Sequence, residues 1–109
     1  MAFNTTIGSE QPQSIGTAAA TATVFEIHYP AVDVTVSAAD IRLAYGIGPL
    51  VNVATGDAAP TADYAIMFAD TAMTKYNPHR DGALPWRLLI WDTTAAAVVS
   101  LQGTIPKGA

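Results

Sequence analysis

Trp86-Arg87-Leu88-Leu89-Ile90-Trp91, then Asp92-Thr93-Thr94-Ala95, then Ala97-Val98-Val99-Ser100-Leu101-Gln102: the reading of this run decides the fold class. Trp86, Leu88 and Ile90 alternate with Arg87, Leu89 and Trp91, the period of two that a strand imposes on its side chains. Ala97, Val99 and Leu101 alternate with Val98, Ser100 and Gln102 in the same way. The polar stretch between them is a turn signal, so the run reads as a hairpin. Five residues apart on a strand, Trp86 and Trp91 face opposite sides of the sheet. They therefore do not form a shared sugar-stacking platform. Trp86, Trp91 and Phe25 are the expected core anchors, with an interface role left open for one of the two tryptophans.

Working outward, Val24, Glu26 and His28 alternate with Phe25, Ile27 and Tyr29, a half-buried strand ended by Pro30. Val32, Val34 and Val36 alternate with Asp33 and Thr35, a second strand of β-branched residues. Over 38–45 two readings stand. Ser37-Ala38-Ala39-Asp40 has the spacing of a capping box before a short helix that Gly46 would stop, while Ile41, Leu43 and Tyr45 suit a strand. Leu50, Val51 and Val53 make a further short strand, and Asp57-Ala58-Ala59-Pro60 a loop. Asp63-Tyr64-Ala65-Ile66-Met67-Phe68-Ala69 is apolar on both faces, which favours a fully buried strand; a helix over 61–76 is the rival. Asn77 to Pro85 is a loop rich in breakers. About six short antiparallel strands with turns between them predict an all-β sandwich or barrel. Residues 22–109 form that single domain. Residues 1–21, punctuated by Gly8, Pro12 and Gly16 and with Phe3, Ile7 and Ile15 widely spaced, read as an extended N-terminal arm.

Composition then narrows the function. There is no cysteine, two histidines (His28 and His79) and two glutamates (Glu10 and Glu26). Ala and Thr supply 34 of the 109 residues, so few side chains are left to carry chemistry. The absence of cysteine excludes disulfides and zinc–thiolate sites. The net charge is −4 and the five basic residues are scattered, which argues against nucleic-acid binding. No run of about 18 apolar residues exists to span a membrane as a helix, and no secretory signal is expected. Charged residues are 13%, against a globular norm of about 25%. A surface so poor in charge belongs either to a modestly stable, Ala-rich domain or to one largely taken up by protein contacts.

Candidate sites are few. His79, Arg80 and Asp81 lie on the breaker-rich loop, where a base, an anion clamp or a plain solvated turn all fit. Asp57, Asp63 and Asp70 lack the spacing of a calcium loop. Gly46-Ile47-Gly48 has no third glycine, and Pro49 follows it, so no dinucleotide fingerprint is present. Ser100 has no nucleophile-elbow context. The expectation is no enzyme, no cofactor and no metal. The alternative is a small β-sandwich module for a carbohydrate or peptide.

Two stretches carry a resemblance. The arm Ser14-Ile15-Gly16-Thr17-Ala18-Ala19-Ala20-Thr21 and the segment Leu89-Ile90-Trp91-Asp92-Thr93-Thr94-Ala95-Ala96 resemble, in composition, the small capsid decoration (cement) proteins of tailed bacteriophages. That resemblance implies a structural protein on the outside of a virion, bridging adjacent major capsid subunits as a homodimer or homotrimer. Tail or fibre subunits are the neighbouring class. On this reading Phe3, Ile7 and Ile15 of the arm are the first expected interface, by strand addition, and His79, Arg80 and Asp81 the second.

Overall fold

A computed structural model of the protein describes residues 4–45, 53–78, 85–93 and 95–105. The fold is all-β. Among the described residues there are nine strands: β1 (Thr5–Ile7), β2 (Gln13–Gly16), β3 (Thr23–Ile27), β4 (Ala31–Ser37), β5 (Ile41–Tyr45), β6 (Ala65–Met67), β7 (Thr71–Tyr76), β8 (Trp86–Trp91) and β9 (Val98–Thr104). They form two sheets, one in the order β1-β3-β8-β5-β6 and the other in the order β2-β9-β4-β7.

The chain changes sheet at almost every connection. β1 lies in the first sheet, β2 in the second and β3 in the first again, so β1 and β3 run parallel, with Ile7 opposite Ile27. Every other pairing is antiparallel. This sheet-switching corrects the hairpin reading of 86–102. β8 already has β3 and β5 on its two sides, so β9 crosses to the second sheet and pairs with β2 and β4. Both strands exist where the alternation places them; only the partner differs. Alternation fixes a strand's faces but not its neighbours.

The main core fills the space between the sheets. Phe25 and Ile27 of β3, Val32, Val34 and Val36 of β4, Ile41 and Leu43 of β5, Trp86, Leu88 and Ile90 of β8, and Val99 and Leu101 of β9 all point into it. In β4 the pattern is strict: the valines are buried, and Asp33, Thr35 and Ser37 are exposed. Residues 41–45 form a strand, not the alternative helix. Residues 65–67 and 71–76 are strands as well, but the fully buried reading of 63–69 does not hold, because Ile66 is 50% exposed and Phe68 64% exposed.

The first sheet is covered on its outer face too. Ala22, Val24, Ala44, Leu89 and Trp91 form a second buried cluster, against which Val53, Ala59 and Tyr64 pack. The segment 53–64 is fixed over this face by backbone bonds. Ala22 N–H donates to the Asp57 carbonyl at 2.9 Å, Gly56 N–H to the Ala22 carbonyl at 2.9 Å, and Ala59 N–H to the Ala20 carbonyl at 3.0 Å. β3 and β8 are therefore buried on both faces, where alternation alone predicted a half-buried β3. Trp86 lies in the inner cluster and Trp91 in the outer one, on opposite faces as their spacing requires.

Candidate interaction surface

Two of the three expected interface residues of the N-terminal segment, Ile7 and Ile15, lie within the described residues. Ile7 is fully buried and belongs to the main core, and Ile15 packs against the same core. β1 and β2 are the outermost strands on one side of the sandwich, one in each sheet. Their crossover presses on β9: a Cβ at Gly103 would stand 2.7 Å from the Tyr29 ring and 2.8 Å from the Ser9 carbonyl oxygen, so only glycine fits there. Thr17 closes the segment. Its Oγ1 donates to Asp92 Oδ2 at 2.7 Å and accepts from Ala97 N–H at 3.0 Å. Asp92 is 3% exposed, and among the described residues this hydroxyl is the side-chain partner of its carboxylate. Phe3, His79, Arg80 and Asp81 lie outside the described residues.

The expected core anchors are all buried: Phe25 is fully enclosed and Trp86 and Trp91 are each 2% exposed. Trp86 Nε1 donates to the Tyr29 carbonyl at 2.8 Å, which satisfies its one donor. Tyr45 packs on Trp86 with ring centres 5.8 Å apart, and Tyr64 meets Trp91 edge-on at 5.7 Å.

A cavity of about 480 Å³ lies beside Trp91, between the 53–64 segment and β5. Arg42 and Asp92 line it. The Arg42 guanidinium rests 4.8 Å from the centre of the Tyr64 ring. Asp92 is held by Thr17. The remaining lining is mostly alanine, proline and threonine, so no hydroxyl there has an imidazole or free carboxylate to activate it. Among the described residues no three His, Asp or Glu side chains converge as a metal site.

Among the described residues, no further strand covers the opposite side of the sandwich. β6 ends the first sheet and β7 ends the second. The corner Phe68-Ala69-Asp70 joins them, with Asp70 in the left-handed region at φ 62°, a conformation that Asp tolerates better than most residues. The Asp40 carboxylate accepts from Ala69 N–H at 2.7 Å and holds this corner. On this side Ile66 and Phe68 are exposed, as are Met73 (50%) and Tyr76 (57%) of β7. Five of the six β7 residues are exposed although the whole strand pairs with β4. The sixth is Lys75, whose ammonium burial holds below the usual lysine range.

The chain matches no family model, no curated protein and no solved structure.

The apolar character of 63–69 was visible in the sequence. Its exposure was not. Apolar residues in a short strand read as core unless the strand is known to lie at an edge, and edge position is a property of the topology.

Proposed function

We propose that this chain is a non-enzymatic structural protein of a virion, seated on the outer capsid surface, where it bridges and stabilises neighbouring major capsid subunits. The observation that carries this reading is the β6–β7 side: among the described residues the six-residue β7 ends its sheet, and Ile66, Phe68, Met73 and Tyr76 are exposed. Exposed apolar groups beside a sheet edge fit a surface used for protein contact. The low charge of the chain and the scarcity of acid–base residues support an assembly role over catalysis. The docking element moves accordingly, from the N-terminal segment, whose Ile7 is occupied in the core, to the corner carrying Ile66 and Phe68. Many weak copies bound to one shell stabilise it through multivalency.

The test is co-sedimentation with undecorated capsid shells. Saturable binding is expected, and Phe68→Asp, which changes an exposed residue, is expected to abolish it while the circular dichroism spectrum is unchanged. Failure of the intact protein to pellet with shells overturns the reading.

A ligand-binding module is the second reading, favoured by the cavity beside Arg42. Its position over Tyr64 leaves Arg42 without a carboxylate partner among the described residues. Both tryptophans are buried, so the aromatic platform that carbohydrate recognition uses is not available from them. Calorimetric titration with acidic peptides separates the two readings.

A further inference from the structure

The edge of β7 has a register of its own. Asn77 N–H donates to the Pro30 carbonyl at 2.9 Å, which makes that pair a bonded one and continues the β4–β7 ladder beyond Ala31 and Tyr76. Bonded and non-bonded pairs alternate along an antiparallel ladder. Thr71, Met73 and Lys75 therefore direct their backbone groups at β4. Ala72, Thr74 and Tyr76 turn their N–H and C=O groups outward, to the side where the sheet order ends.

The usual guards of an exposed edge are weak here. Proteins block such edges with proline, bulges, short strands or inward charges. β1, β2 and β6 are three, four and three residues long, and β7 is six. β7 contains no proline, and its single charge is Lys75.

We propose that β7 pairs antiparallel with β7 of a second copy about a two-fold axis at Thr74, joining the two four-stranded sheets into one continuous sheet. In this register Ala72 faces Tyr76 of the second copy and Thr74 faces its own mate, so all three outward residues enter bonded pairs. Met73 faces Lys75 of the other copy, and the lysine stem covers the exposed thioether chain. Neighbouring registers are worse. A shift of the axis to Lys75 sets the two ammonium groups face to face, which is repulsive. A shift to Met73 brings in Asp70, whose N–H is already given to the Val36 carbonyl at 2.8 Å. Charge and hydrogen bonding thus select one occupant and one register. The inference deepens the assembly reading by naming the first partner as the chain itself, and it leaves Ile66 and Phe68 free for the shell. The contact is small, which places it among weak interfaces.

The chain has no cysteine, so a single introduced thiol reports the register. Bonded pairs stand about 5.5 Å apart at Cα, within disulfide reach. Thr74→Cys is expected to give a covalent dimer under mild oxidation. Ala72→Cys is expected to stay largely monomeric, since in this register residue 72 lies four positions from its mate. Sedimentation equilibrium from about 1 μM to about 1 mM brackets a weak dimer. Over that range the intact chain is expected to self-associate, and Thr74→Lys and Thr74→Pro are expected to be monomers with native circular dichroism. An intact chain that stays monomeric throughout, or equal cross-linking of the two cysteine variants, overturns the inference. A monomer that still pellets with shells overturns it and leaves the capsid reading standing.

Discussion

The two sides of the sandwich are built alike and filled differently. Each is closed by consecutive strands, one per sheet: β1 and β2 on one side, β6 and β7 on the other. On the first side, short strands carry Ile7 and Ile15 inward and Thr17 fastens the exit. On the second, β7 pairs with Ala31 to Val36 of β4, yet five of its six residues remain exposed. What distinguishes the two edges is where the apolar side chains go, not how many there are. The arm-like segment spends Ile7 and Ile15 on its own fold. The apolar segment leaves several of its own outside.

The largest expected effect separates the two sides directly. Ile7→Ala removes a fully buried side chain from the junction of β1 and β3 and is expected to cost about 2–5 kcal/mol. Met73→Ala, at a site half exposed, is expected to cost less than about 1 kcal/mol. Urea unfolding of the two variants beside the parent protein measures both. Equal destabilisation would mean that β7 is as much a part of the core as β1, and the distinction between the sides would fall.

The sequence made some of this legible and not the rest. The inward faces of β4, β8 and β9 follow from alternation, because Val32, Val34 and Val36 or Trp86, Leu88 and Ile90 have only one way to be buried together. Opposite placement of Trp86 and Trp91 follows from the same rule. Edge position does not. Ile7 stands among Asn4, Thr5, Thr6, Gly8 and Ser9, so its surroundings look like a tail, yet Ile27 and the interior beneath it lie far along the chain. Ile66 and Phe68 sit in an apolar run, yet their exposure follows from β6 being the last described strand of its sheet. The partner of Asp92 was equally hidden, since Thr17 is 75 residues away.

A smaller effect tests how the closed side is fastened. Thr17→Val keeps the shape of the side chain but removes both the donor to Asp92 Oδ2 and the acceptor for Ala97 N–H. A buried carboxylate left without its partner is expected to cost about 1.5–3 kcal/mol. Thr17→Ser, which keeps the hydroxyl, is expected to recover most of that loss. Thermal unfolding of the pair reads the difference. Matching losses in both variants would assign the effect to the methyl group and remove the Thr17–Asp92 bond from the account.

The smallest expected effect is an alkaline one, and it draws on both regions. Burial raises the Tyr45 phenol above its ordinary value of about 10 and lowers the Lys75 ammonium below its ordinary value of about 10.5. For Tyr45 the unfolded chain loses its proton first, so stability falls as pH rises above about 10. For Lys75 the folded chain loses its proton first, so stability rises as pH climbs through the window just below about 10.5. The two slopes oppose each other. Tyr45→Phe removes the fall and should leave a net rise approaching pH 10.5; Lys75→Met removes the rise and should leave the fall alone. Urea midpoints measured at intervals between about pH 9 and pH 11 resolve the two slopes. Should Lys75→Met leave the alkaline slope unchanged, Lys75 would be as fully hydrated as the rest of β7, and the edge would be open along its entire length.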